Sequence, residues 1–176
     1  MPRSPFMWYG GKFRIAKDLV KLFPVHRRYV EVFGGAGHVL FEKSRSKEEV
    51  YNDLHEGLVL FWKIIKNDEK REKLIEKLNL TPYSRRECRE SRDWEDEDDN
   101  IEKVRKFFTN INQSRNGKEG GSWSYKITSS SPTDSWFRKI NNYIPGAADV
   151  MKAVKIERLD FRQCIKNMIL IKHLCT

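Results

Sequence analysis

Apolar positions in the first part of the chain follow two periods. Tyr29, Val30, Val32 and Phe33 form a nearly continuous run broken only by Glu31, which reads as a strand. Val50 and Tyr51 sit in a second short run over residues 49–52. Residues 36–45 between them suit the crossover helix, so the two strands are expected to lie adjacent and parallel, because such crossovers are right-handed. Upstream, residues 12–22 form an amphipathic helix ending before Pro24, whose ring disfavours helix at the preceding residue. Downstream, Leu58, Phe61, Trp62 and Ile65 recur at i, i+3, i+4 and i+7 and define a helix over residues 56–66, with aromatics directed to the core. A charge-rich solvated helix over 68–78 follows, and a helix over 101–111 buries Val104, Phe107, Phe108 and Ile111. Short helices at 132–142 and 147–154 return the chain to a strand over 155–159, which Asp160 and Phe161 terminate.

The junction between the first strand and its helix carries the candidate chemistry. Gly34, Gly35, Ala36 and Gly37 permit a tight turn and close approach of a ligand to the backbone, since three of the four lack a Cβ. Asp53 closes the second strand at close to the ~20-residue spacing at which nucleotide-binding βαβ units place an acid for ribose hydroxyls. The third glycine of a dinucleotide fingerprint would fall on Leu40, which counts against NAD and leaves a smaller nucleoside cofactor.

Between residues 81 and 146 aliphatic residues thin out, and Arg, Ser, Gly, Asn and Trp replace them. Arg85, Arg86, Arg89 and Arg92 share much of one helical face; a phosphate-contacting stripe and an ordinary solvated face fit equally, since Glu87 and Glu90 dilute the charge. The acidic run from Trp94 through Asp99 is expected as an exposed loop facing away from any polyanion. In the next segment Arg115, Asn116, Lys118, Trp123 and Lys126 interleave with glycines, a pattern suited to following a phosphate backbone and offering planar groups to bases. A glycine-rich turn without a ligand is the alternative.

A net charge of +9 agrees with a nucleic-acid partner. The three cysteines are odd in number and widely spaced, and the four histidines are scattered, so neither a disulfide framework nor a metal site is expected. No signal peptide is visible and no apolar run approaches the ~20 residues of a membrane helix, so a monomeric protein of a reducing cytoplasm is expected.

Three segments together resemble the Dam-type, alpha-class adenine-N6 DNA methyltransferases, in a phage-like form. Trp8, Gly10, Gly11 and Lys12 stand in Pro5-Phe6-Met7-Trp8-Tyr9-Gly10-Gly11-Lys12, which is similar to the family's N-terminal cofactor motif; Met7 departs from it, many members having Lys there. Glu31-Val32-Phe33-Gly34-Gly35-Ala36-Gly37 resembles the S-adenosylmethionine loop, and Asn52-Asp53-Leu54 the ribose-binding strand end. The resemblance extends over residues 5–165 and is tightest before Asn67. It implies an α/β fold: an incomplete Rossmann-like S-adenosylmethionine-dependent methyltransferase with an inserted helical and hairpin target-recognition subdomain. The implied division is 1–80 for cofactor binding, 81–146 for recognition of double-stranded DNA, and 147–176 for the return to the methyltransferase domain. It also places Asp160 and Phe161 against the cofactor adenine, although Asp160 equally fits the cap of the following helix. The segment from Gln113 to Trp123 is similar to the recognition region of phage-encoded members, with Arg115 and Lys118 foremost in DNA contact.

The family's catalytic Asp-Pro-Pro-Tyr motif has no counterpart, and the sequence contains no Pro-Pro pair, so no catalytic residue is assigned. In the family that carboxylate and a prolyl carbonyl accept the hydrogens of a flipped adenine's amino group, whose lone pair is otherwise delocalised into the ring. A chain truncated before the motif and inactive in methyl transfer is therefore expected, a non-catalytic DNA- or cofactor-binding remnant being the alternative. Back-translating residues 166–176 with one A restored to an opening A run gives Lys-Lys-Tyr-Asp-Ser-Asn-Lys-Ala-Leu-Met-Tyr-Leu, which looks like the family's approach to that motif. A one-base deletion after Ile165 is the expected cause.

Overall fold

The computed structural model describes residues 2–125 and 131–168; the expectations for Lys126 and for the tail beyond Met168 lie outside them. The fold is mixed α/β around a small parallel sheet. In chain order the elements are α1 (Ala16–Lys21), β1 (Arg28–Glu31), α2 (His38–Glu42), β2 (Glu48–Asn52), α3 (Glu56–Lys66), α4 (Asp68–Asn79), α5 (Arg85–Glu90), a 3-10 turn (Ser91–Asp96), α6 (Asn100–Gln113), a second 3-10 turn (Arg115–Gly117), α7 (Pro132–Arg138), a π-helical segment (Lys139–Tyr143), α8 (Ile144–Met151), β3 (Val154–Glu157) and α9 (Phe161–Met168). The sheet order is β1-β2-β3. Both pairs are parallel, with Val30 opposite Val50 and Val50 opposite Lys155, so the expected parallel pairing of the first two strands is met. No helix among the described residues is long and apolar enough to cross a membrane.

α3 is the central packing element and has the bounds its periodicity predicts. Leu58, Phe61, Trp62 and Ile65 are fully buried. Phe61 stacks on Phe108 of α6 at 5.6 Å and meets Phe6 of the N-terminal segment edge-on at 4.5 Å. Phe6 and Trp8 are thereby fixed by the same aromatic cluster that joins the sheet to the helices of the 81–146 region.

Several expected bounds shift, each for a local reason. α1 begins at Ala16, because residues 12–15 form a turn in which the Ile15 N–H donates to the Lys12 carbonyl. α2 is confined to His38–Glu42: Gly37 ahead of it has φ +70°, and Lys43 after it is extended, turning its ammonium to the buried Glu49 carboxylate and the face of Tyr29. The helices expected at 132–142 and 147–154 form one helical run from Pro132 to Met151, in which the π segment precedes Pro145 in the first turn of α8, where its missing N–H is least costly. β3 ends at Glu157 because the Leu159 N–H leaves the ladder for the Asn52 side chain.

The acidic run is exposed at Glu95, Asp96, Asp98 and Asp99, as expected, but it is anchored and begins in a 3-10 turn. Trp94 is buried within the 3-10 turn, Glu97 pairs with Lys106, and Asp99 caps α6 by accepting from the Glu102 N–H at 2.8 Å. The run has the composition of a loop, but Trp94, Glu97 and Asp99 each find a partner that low helix and strand propensity does not reveal.

Gly57 tests this packing. A Cβ there would lie 2.6 Å from the buried Phe107 ring, so Gly57→Ala should destabilise the protein by roughly 1–2 kcal/mol, overpacking outweighing the helical preference for Ala. Denaturant midpoints of the two proteins measure this, and a neutral or stabilising result would disprove the contact.

Candidate functional site

The strands of the sheet end together, and their carboxyl ends splay. Asn52, buried at the end of β2, fills the gap. Its side-chain NH2 donates to the carbonyls of Val32 and Leu159 at 3.0 Å, and its oxygen accepts from the Leu159 N–H at 2.8 Å. These three partners also fix the orientation of the amide.

Above this junction the glycine turn is shaped by β2. The Gly34 N–H donates to the Asn52 carbonyl at 2.8 Å, and a Cβ on Gly34 would sit 2.2 Å from the Tyr51 ring. Gly35 has φ +51°; its carbonyl accepts from the Tyr51 hydroxyl at 2.6 Å and its N–H donates to Asp53 Oδ2 at 2.7 Å. The other Asp53 oxygen accepts from the His55 N–H at 2.9 Å. Asp53 therefore first holds the turn in place. Each carboxylate oxygen keeps a further lone-pair direction, so the acid can also accept ligand hydroxyls.

A cavity of about 190 Å³ opens over this turn, lined by Trp8, Tyr9, Gly10, Gly11, Lys12, Glu31, Phe33, Gly34, Gly35, Ala36, His38 and Asp53. Nine of the residues singled out in the sequence thus converge on one cleft from three separate segments. Gly37 lies just behind it at the start of α2. Phe161 reaches its rim, 5.7 Å from the exposed Phe33 ring, while Asp160 accepts from the Arg162 N–H at 2.9 Å in the manner of a helix cap.

Glu31, His38 and Tyr9 also line the cleft and were not foreseen. The signal for Glu31 was present: a lone carboxylate inside an apolar strand run. Burial pushes its carboxyl up to about 7, opposed by the charges of Lys12 and Lys43 and by hydrogen bonds from Tyr29 and the Leu40 N–H, the last at 3.1 Å. Burial, then Lys12, holds the His38 imidazole down at about 4.

The 112–125 segment packs beside this cleft rather than apart from it. The Ser114–Trp123 bridge closes it, with the Arg115 N–H donating to the Ser122 carbonyl at 2.8 Å and the Gly120 N–H to Asn110 Oδ1 at 2.9 Å. Arg115, Asn116 and Lys118 are exposed, and Asn116 adopts φ +60°. Trp123 is half-buried between Tyr83 and Tyr125, with the Arg85 guanidinium 5.3 Å from its ring. The arginine stripe is divided: Arg86 pairs with Glu90 at 2.7 Å and Arg92 donates to the Gly121 carbonyl at 2.9 Å.

Glu31 makes the cleft's electrostatics measurable. Its folded carboxyl binds a proton more tightly than an unfolded glutamate, so its contribution to stability is full below about 4.5 and is lost as pH rises through about 7. His38 acts oppositely, its contribution being lost as pH falls from 6.5 through about 4. Glu31→Gln should therefore gain stability over the parent at pH 8, on the order of 1–3 kcal/mol, and the gain should vanish at pH 4. Denaturation at the two pH values measures the difference, and an equal difference at both would remove Glu31 from the buried site.

The D12 class N6 adenine-specific DNA methyltransferase family matches residues 8–160. The type II methyltransferase M.MjaIII of Methanocaldococcus jannaschii is 36% identical over 89 residues, which cover 45% of this chain and 30% of that protein. The DNA N-6-adenine-methyltransferase of Escherichia phage P1 is 33% identical over 66 residues, covering 38% of this chain and 9% of that protein. The chain thus spans less than a third of either relative, yet the family match runs from Trp8, in the wall of the cleft, to Asp160 beyond β3. With the greater part of its length so matched, this chain belongs to the D12 class N6 adenine-specific DNA methyltransferase family.

Proposed function

We propose that the cleft over the Gly34–Gly37 turn takes S-adenosylmethionine and that the chain provides the cofactor-binding and DNA-recognition parts of a site-specific DNA adenine-N6 methyltransferase. One observation carries this reading. Trp8 with Lys12, Gly34 with Gly35, and Asp53 come from three distant segments and line a single cavity at the carboxyl ends of parallel strands, where open α/β sheets bind nucleotides. The donor set suits such a ligand: bare backbone for close approach, an acid for a ribose diol, a cation at Lys12 for a carboxylate, and the Phe33–Phe161 pair for a purine. Bound there, S-adenosylmethionine would supply an electrophilic methyl group on its sulfonium.

The sheet with its helices is read as the Rossmann-like part of a methyltransferase fold, residues 1–80 and 147–176, and 81–146 as the inserted recognition subdomain for double-stranded DNA. Arg115, Asn116 and Lys118 project from it, with Lys126 assigned by its place in the sequence; Trp123 supports the segment more than it offers a free face. No Asp-Pro-Pro-Tyr occurs in the sequence, so the residues here are assigned to binding and orientation, and the 176-residue polypeptide by itself is proposed not to transfer methyl.

Calorimetry with S-adenosylhomocysteine tests the cofactor site. Asp53→Ala should weaken binding roughly ten- to hundredfold, since a hydrogen bond to a charged group contributes about 1.5–3 kcal/mol. Unchanged affinity would remove Asp53 from the site. For DNA, exchanging both Arg115 and Lys118 for Gln should lower affinity for a duplex. Its logarithmic salt dependence should flatten by about 0.9 for each phosphate the variant no longer neutralises. An unchanged slope would make the segment a glycine-rich turn and nothing more.

A further inference from the structure

The segment that carries Arg115 and Lys118 is clasped to the cofactor cleft at two points, and the second is a single side chain. At the first point Gly117 has φ +64° and meets the N-terminal motif so closely that a Cβ would fall 1.3 Å from the Met7 carbonyl oxygen; its own carbonyl accepts from the Tyr9 N–H at 3.3 Å. At the second, Glu119 accepts two hydrogen bonds from opposite sides. Trp94 Nε1–H donates to its Oε1 at 2.7 Å, and His55 Nε2 lies 2.8 Å from its Oε2. The His55 ring has one arrangement that satisfies all its neighbours. Nδ1 accepts from the Leu58 N–H and caps α3, so Nε2 carries the hydrogen and donates to Glu119. The same residue's backbone N–H holds Asp53, and its ring meets Trp8 edge-on at 5.1 Å. One carboxylate on the recognition segment thus bears on two walls of the cleft through one histidine, whose ring meets Trp8 and whose backbone N–H holds Asp53.

We propose that Glu119 is a positioning residue that couples the DNA-recognition segment to the cofactor acid, a proposal that rests on the cofactor reading of the Asp53 cleft. Glu119 touches neither ligand in this scheme. It sets the His55 orientation, His55 sets Asp53, and Asp53 sets the Gly35 N–H at the floor of the cleft. Any ligand that tightens this chain at one end favours the ordered segment at the other, and thermodynamic linkage makes the effect reciprocal. Between the two clasp points the chain has only Lys118, which is exposed along with Arg115 and Asn116 just before it. The groups proposed to meet phosphate are therefore those whose backbone Glu119 and Gly117 immobilise.

Amide hydrogen exchange on the unliganded protein tests the mechanical link without any cofactor. Glu119→Ala should speed exchange at Gly35, His55 and Leu58 as well as at Gly120, whereas Arg115→Ala, in the same segment, should leave Gly35 and Leu58 at parental rates. Glu119→Gln, which retains an acceptor oxygen for His55, should restore most of the protection at Leu58. Exchange that rises only within residues 117–121 of Glu119→Ala overturns the proposal. A second measurement reads the coupling: S-adenosylhomocysteine should strengthen binding of a mixed-sequence duplex by about five- to twentyfold in the parent and should have no such effect in Glu119→Ala. Equal enhancement in both proteins overturns the proposal. A parent that takes up no S-adenosylhomocysteine overturns the cofactor reading instead, and the exchange arm still decides the role of Glu119.

Discussion

A parallel sheet can offer a cleft only if its strand ends part, and parting them strands backbone groups that the ladder would otherwise pair. Asn52 resolves this conflict. One buried amide satisfies the carbonyls of Val32 and Leu159 and the N–H of Leu159, all at the point where β1 and β3 diverge from β2. Each of those groups left unpaired would cost about 1–3 kcal/mol, comparable with a sizeable share of a domain's stability. The glycine turn, the Asp53 carboxylate and the rim at Phe161 all take their positions from that divergence. Asn52 has no need to touch a ligand for the cleft to depend on it.

The charges divide by direction in the same way. The chain is strongly basic, yet several of its acids point inward and hold elements together: Glu49 with Lys43 behind β2, Glu87 and Glu102 with Arg105, and Glu119 between His55 and Trp94. Arg115 and Lys118 form no salt bridge among the described residues, and neither does Lys12. Arg115 and Lys118 thus stand on the 112–125 segment without an ion-paired acid, whereas Lys12 shares the cleft with Glu31 and Asp53. A polyanion approaching that segment meets cations whose counter-charges are engaged elsewhere in the fold.

What the sequence disclosed depended on the range of the interactions involved. α3 was legible to the residue because its stripe of Leu58, Phe61, Trp62 and Ile65 is local. The parallel pairing of β1 and β2 followed from a chirality rule, and the convergence of Trp8, Gly35 and Asp53 from motif order. Trp94 and Glu119 were illegible for the opposite reason. An aromatic heading an acidic run looks like a loop until a partner 25 residues away is known to accept its N–H, and an acid in a basic segment looks incidental until the histidine 64 residues before it is placed. Gly117 is similar: its left-handed backbone favours glycine, but the close approach of the Met7 carbonyl comes from a segment far away in the chain. The π segment has no periodicity that distinguishes it from the helices on either side.

Trp8 shows why these long-range contacts bear on function as well as on fold. Its ring lines the cleft, packs on Phe107 of α6 at 6.2 Å and meets His55, while its carbonyl accepts from the Gly11 N–H at 2.9 Å to close the N-terminal turn. Gly35 approaches it so nearly that a Cβ there would stand 3.4 Å from the indole. The cleft is thus walled on one side by the sheet and on the other by a segment fastened to the helices of the 81–146 region. A ligand that presses on Trp8 presses on α6, and through Phe107 and His55 on the turn that holds Trp94. The cleft and the 112–125 segment share a wall, and separating them energetically would require dismantling the aromatic cluster that also forms the core.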